Sequence, residues 1–105
     1  MKSFKVAYSE EAESDLDSIY SYIAFEKKDS INAAHLIQKL IKVIDDLSFM
    51  ADSYHHYQIE PYLSEGVRYF SEGKYSIFYK IIDDTAYVIR IVYGARDLES
   101  VLSEG

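Results

Sequence analysis

The order of its patterned segments predicts an α+β fold: an N-terminal strand, an antiparallel helix hairpin, then a three-stranded antiparallel meander, with the helices packed on one face of the sheet. Three observations lead there. Between residues 66 and 102, short apolar stretches with a period of two are separated by tight turns. Before them come two stretches whose apolar residues recur at helical spacing. Ahead of both, residues 2–8 are rich in aromatic and β-branched types, as strands are.

The first strand, KSFKVAY, ends at Ser9-Glu10-Glu11. Ser9 is placed to accept a bond from an early helical N–H, and Glu10, Glu11 and Glu13 sit where the helix dipole favours negative charge. Ala12, Leu16, Ile19, Tyr20 and Ile23 then form one apolar stripe, with Glu13, Asp17 and Ser18 facing elsewhere. After Glu26-Lys27-Lys28-Asp29 a second stripe, Ala33, Ile37, Leu40, Ile41, Ile44 and Leu47, predicts a second helix capped by Asp29 or Ser30. The connection is short, so the two helices are expected to run antiparallel.

Periodicity is lost over residues 50–65, where Pro61 falls among Tyr54, Tyr57 and Tyr62; this reads as a loop packed by its own aromatics. Residues 67–70, 75–82 and 86–93 are the meander strands, with turns near Glu72-Gly73 and at Asp83-Asp84. On the last strand, alternation sets Tyr87, Ile89, Ile91 and Tyr93 on one face and Val88, Arg90 and Val92 on the other. Which parity points inward is left open. The sheet face away from the helices is expected to be uncovered, so that Phe78, Val88 and Val92 could offer a patch to a partner.

At 105 residues the chain fits one domain over 1–105, and 49% apolar residues suffice for a core. Without cysteine there is no disulfide framework, thiolate nucleophile or Cys-based zinc site. No signal-peptide core and no run of about 20 apolar residues is present, so a soluble cytoplasmic protein without membrane contact is expected. The net charge of −7 opposes phosphate backbones, and no direct binding of nucleic acid is expected. Residues 1–65 hold six lysines against twelve carboxylates; residues 66–105 hold five basic and six acidic groups, including all three arginines. The helical half is therefore the acidic one.

Adjacent His55 and His56 diverge on any regular backbone and His35 stands apart, so no metal site is expected. Asp45-Asp46 and Asp83-Asp84 read as a solvated helix end and a turn rather than as an acid and base pair. Phosphate loops, nucleophile elbows and HExxH are missing. Eleven tyrosines could stack nucleic-acid bases, but most fall where a half-buried phenol packs in a sheet or helix. Arg68, Arg90 and Arg96 suit bidentate binding of carboxylate or phosphate. They equally suit internal pairing, Arg96 with Asp97 and Arg68 or Arg90 across strands with Glu72 or Asp84.

The stretches Glu72-Gly73-Lys74-Tyr75-Ser76-Ile77-Phe78-Tyr79 and Val88-Ile89-Arg90-Ile91-Val92-Tyr93-Gly94-Ala95-Arg96-Asp97-Leu98, preceded by Ala12, Asp15, Leu16, Ile19, Tyr22 and Ile23 in a helix, resemble ParE-type toxins of the RelE/ParE superfamily, the plasmid stabilisation type. The resemblance covers nearly the whole chain and is weakest over residues 50–65. It implies the toxin of a type II toxin–antitoxin system, neutralised by a ParD-like antitoxin and directed at DNA gyrase, with no cofactor and no catalytic residue. The RelE branch, which cleaves messenger RNA on the ribosome, is disfavoured: Ser76 stands where that branch tends to have arginine and Leu102 where it tends to have tyrosine, and only Arg96 keeps its place. Each lost cation would cost about 10² or more in rate. A non-toxic co-repressor that only binds its antitoxin is the third reading. Tyr93 departs from the histidine usual before Gly-Ala-Arg-Asp. The expected binding surface comprises Arg68, Tyr69, Phe70, Arg90, Tyr93, Arg96, Asp97, Leu98 and Leu102.

Overall fold

The computed structural model describes residues 3–94 and builds them from β1 (Lys5–Tyr8), α1 (Glu10–Ser21), α2 (Ser30–Asp45), α3 (Leu47–Met50), β2 (Arg68–Glu72), β3 (Tyr75–Ile82) and β4 (Thr85–Tyr93). The predicted class holds: a strand, two helices, then an antiparallel meander. Ser9 caps α1 as its position predicts, accepting from the Ala12 N–H at 3.0 Å, and its hydroxyl also donates to the Ile89 carbonyl at 2.9 Å. One side chain thus starts the helix and ties it to β4. Of the two candidate caps for α2, Asp29 serves, accepting from the Asn32 N–H at 3.1 Å.

α1 does not stop cleanly. Tyr22–Glu26 widen into a π-helical turn, with the Lys27 N–H bonded to the Tyr22 carbonyl, before Asp29 opens α2. The 50–65 segment, expected to be irregular, follows α3 and opens with a helical turn at Ala51–Ser53.

The sheet order is β1-β4-β3-β2. β1 lies parallel to β4, Val6 opposite Ala86, so the N-terminal strand joins the far side of the meander. It is short, and beyond Tyr8 the edge of β4 is taken over by α1. The register of β3 and β4 shifts once: Phe78 is opposite Arg90 but Tyr79 is opposite Val88, which makes Ile89 the extra residue of a β-bulge. This corrects the uninterrupted alternation expected for β4. Val88 and Ile91 both face the helices, and Val92 faces away, because one inserted residue reverses the parity of all that follow.

The larger cluster lies between helices and sheet and includes Phe4, Leu40, Ile44, Leu47, Phe70, Ile77, Tyr79, Val88 and Ile91. A smaller one lies on the opposite face, where Val67, Phe78 and Val92 are buried under Tyr57, Tyr62 and Ile89. The expectation of an uncovered second face is therefore overturned for this part of the sheet. Residues 55–67 fold back alongside β2: the Tyr69 N–H donates to the His55 carbonyl at 3.2 Å, His56 bridges Arg68, and the Tyr57 N–H donates to the Val67 carbonyl at 2.8 Å just ahead of the strand. The aromatics of the loop do pack, but against the sheet as well as one another: the Tyr57 ring lies 6.0 Å from Tyr62 and 5.1 Å from Phe78.

Candidate binding site at the end of the sheet

Two of the three arginines have their guanidinium groups engaged within the fold. Arg90 forms a bidentate pair with Asp15 of α1, Nε to Oδ2 at 2.8 Å and Nη2 to Oδ1 at 3.0 Å. Asp15 Oδ2 also accepts the Ile91 N–H at 2.8 Å, an edge donor of β4 that β1 is too short to reach. Both side chains are mostly buried, 18% and 16% exposed. An ionic pair so placed, with its carboxylate further satisfied by a backbone N–H, locks α1 against the β4 edge. The partner is neither Glu72 nor Asp84, the candidates drawn from the meander alone.

Arg68 instead donates to two backbone carbonyls, Tyr54 at 2.6 Å and Asp52 at 3.3 Å. It holds the chain just ahead of the covering loop. Lys80 pairs with Glu65 at 3.1 Å on the same covered face.

The aromatic candidates separate. Phe70, 8% exposed, stacks on Tyr54 with centroids 4.6 Å apart and belongs to the helix-side core. Tyr69 points to the other face, stacked on Phe78 at 5.9 Å, and is 38% exposed. Tyr93 sits at the end of β4 opposite Tyr75, centroids 5.4 Å apart, and is 58% exposed. Tyr69 and Tyr93 therefore do not form one surface. Arg96, Asp97, Leu98 and Leu102 lie outside the described residues.

Around Tyr93 the structure assembles what the strand pattern could not show. Ser18, Ile19, Tyr22, Ile23 and Lys27, from α1 and the π-turn, join Tyr75 and Tyr93 to line an open groove of about 520 Å³. Lys27 Nζ stands 5.6 Å from the centroid of Tyr22. Burial, and then the neighbouring Tyr93, push the Tyr75 phenol above its ordinary range, so it stays a neutral donor. A second depression, lined by Ser71, Gly73, Lys74, Tyr75, Ser76, Tyr93 and Gly94, meets the first at the two tyrosines. Along the chain, Ile19, Tyr22 and Ile23 belong to the helix signature, but their spacing does not tell that they meet Tyr75 and Tyr93.

The model of a family described as ParE toxin of type II toxin–antitoxin system, parDE, matches residues 6–98. The chain belongs to the ParE toxin family. It is thus a toxin of the type II toxin–antitoxin class within the RelE/ParE superfamily, as the motif order from Ala12 to Leu98 implies. Among solved structures it is similar to the chromosomal ParDE system of P. aeruginosa, with a TM-score of 0.69 at 20% identity, covering 87% of this chain and 96% of that one. It is also similar to the RelBE2 toxin–antitoxin complex of Mycobacterium tuberculosis, with a TM-score of 0.65 at 17% identity, covering 87% and 98%. At such identities these two show a shared fold. No curated protein matches in sequence. In this ParE-family chain the helix signature has a structural meaning: its Asp15 is the residue that grips Arg90 and the β4 edge.

Proposed function

We propose that this ParE-family toxin acts by binding and inhibiting DNA gyrase in the cytoplasm and is neutralised by a ParD-like antitoxin. The observation that carries the reading is the commitment of the sheet cations. Arg68 is bonded to carbonyls, Arg90 to Asp15 and Lys80 to Glu65, so these three are not aimed together at a phosphate. Phosphodiester cleavage of the RelE kind depends on preorganised cations around the developing charge. A sheet end built of Tyr75 and Tyr93 suits a protein partner, since exposed tyrosines give contact area at low entropic cost. The family match favours the same branch.

Tyr93 and the following Arg96, Asp97, Leu98 and Leu102 form the contact surface in this reading, Tyr69 offers a separate contact on the covered face, and Arg68, Phe70 and Arg90 hold these in place. Supercoiling by purified gyrase is the test: the toxin should inhibit it, and the antitoxin should relieve the inhibition. Normal supercoiling at large molar excess removes gyrase as the target. Cut transcripts in a purified translation reaction would move the chain to the RelE activity, and growth untouched by induction would leave an antitoxin-binding co-repressor.

A further inference from the structure

Two apolar depressions flank α1, and they differ in charge. One lies between α1 and α2, where Leu16, Tyr20, Ile37 and Ile41 are rimmed by Glu13 and Asp17. The other is the groove of about 520 Å³ in which Ile19, Tyr22, Ile23, Tyr75 and Tyr93 meet Ser18 and Lys27. Among the described residues that line it there is no carboxylate, in a chain of net charge −7. α1 itself carries Glu10, Glu11, Glu13, Asp15 and Asp17 and no lysine or arginine, so it is the face turned to the sheet end that keeps the groove clear of negative charge. Lys27, unlike Arg90 and Lys80, pairs with no carboxylate among the described residues; its Nζ stands 5.6 Å from the centroid of the Tyr22 ring.

Sites for small molecules are concave, about 300–1,000 Å³ in volume and mainly apolar, with a few polar groups that fix the ligand's orientation. The groove has this make-up. Its walls are three phenol rings and two isoleucines, and the rings of Tyr22 and Tyr93 are 55% and 58% exposed. A flat aromatic ring gains more from such walls than an aliphatic chain does, because ring pairs add edge-to-face or offset stacking to the burial of area. Tyr75 and Tyr93 are already disposed edge-to-face, 5.4 Å apart. The polar groups favour an anion. The Lys27 ammonium, the Ser18 hydroxyl and the Tyr75 phenol, which burial keeps protonated, can all donate to a carboxylate. A cationic ligand would meet Lys27 as a like charge, and is better served by the depression that holds Glu13 and Asp17.

We propose that the groove binds a small aromatic carboxylate, its ring held among Tyr22, Tyr75 and Tyr93 and its carboxylate beside Lys27. Binding needs only the toxin. Because Tyr93 also belongs to the contact surface proposed above, a bound ligand would compete with a protein partner there; that consequence, and not the binding, rests on the earlier reading.

Three probes that share one ring system and differ in charge test it: naphthalene carboxylate, naphthalene methanol and naphthalene methylamine, each titrated into the full-length protein and followed by amide NMR. The carboxylate should shift Ile19, Tyr22, Ile23, Tyr75 and Tyr93 to saturation and bind about threefold more tightly than the alcohol, the margin of one exposed ion pair. The amine should bind there more weakly than either. Tyr22 and Lys27 are exposed, so both can be replaced without opening the core. Lys27→Gln should erase the margin between carboxylate and alcohol, and Tyr22→Ala should weaken both. Shifts that do not saturate, shifts centred on Leu16, Ile37 and Ile41, equal affinity for the three probes, or a margin that survives Lys27→Gln would each overturn the proposal. Gyrase inhibition measured at saturating carboxylate separates the two readings: inhibition that persists unchanged removes Tyr93 from the contact surface and leaves the groove as a ligand site.

Discussion

On the helix side of the sheet, Leu40, Ile44 and Leu47 descend from helices onto Ile77, Tyr79 and Val88; on the other side, Val67, Phe78 and Val92 are covered by a loop through Tyr57 and Tyr62. Both covers exclude water, but they are made differently. Helices satisfy their own backbone bonds, so α1 and α2 bring preformed apolar stripes and need only side-chain contacts with the sheet. The loop has no such self-sufficiency. It closes on itself through the Tyr57 N–H and the Val67 carbonyl, and takes a backbone donor from β2 at Tyr69 and a side-chain donor from Arg68. The helix-side core is the part that holds the fold, while the loop side is a local attachment.

Leu40→Ala should break the comparison most severely, because Leu40 is fully buried at the centre of the larger cluster. A loss of about 3 kcal/mol or more is expected, read as a fall in the urea midpoint with all probes moving together. Tyr57→Ala should cost less, about 2 kcal/mol, since Tyr57 is only half-buried and its cluster is small. Amide hydrogen exchange distinguishes them further: the Tyr57 variant should lose protection mainly over residues 55–69, the Leu40 variant everywhere. Global loss of protection in both would mean that the two clusters form one cooperative unit.

Two tyrosines of the helix-side core sharpen the contrast by moving in opposite directions. The Tyr79 hydroxyl donates to the Ala51 carbonyl inside the core, and Tyr79→Phe strands that acceptor, lowering stability by about 1 kcal/mol or slightly more. The Tyr8 hydroxyl oxygen is buried without a hydrogen-bond partner among the described residues, so Tyr8→Phe should raise the midpoint by the equivalent of about 1 kcal/mol.

A further effect is on pH dependence. Burial, and then Asp45, push the Tyr8 phenol up to about 12, and burial raises Tyr79 as well. The folded protein keeps protons that the unfolded chain gives up near pH 10, so stability present below pH 10 is lost as pH rises from there toward about 12. Tyr8→Phe should flatten that fall in a urea titration across the same range. An unchanged slope would place the Tyr8 hydroxyl in contact with water.

Much of this was legible along the chain. The caps at Ser9 and Asp29, the stripes through Ala12 and Leu40, and the turns at Gly73 and Asp83 depend on residues within a turn or two of each other, where local propensity acts. The candidate site was legible in type but not in arrangement. Arg90 could be named as a bidentate cation, yet its carboxylate lies 75 residues away on α1. Arg68, Tyr69 and Phe70 adjoin in sequence, and the pleat sends Phe70 into the core and Tyr69 to the other face. The bulge at Ile89 left no mark, because its neighbours from Ala86 to Val92 are apolar or aromatic apart from Arg90, and no polar residue flags the change of face.

Element types, their order and the ParE-family signature thus follow from the amino-acid order alone, since each is set by short-range sterics, capping and periodicity. The place of β1 beside β4, the facing of β4 beyond its bulge, the Arg90–Asp15 lock and the loop cover over Phe78 required the folded molecule. Those features are pairings between residues far apart in the chain. Which partner wins depends on which surfaces burial brings together, and that is a property of the whole packed domain rather than of any segment.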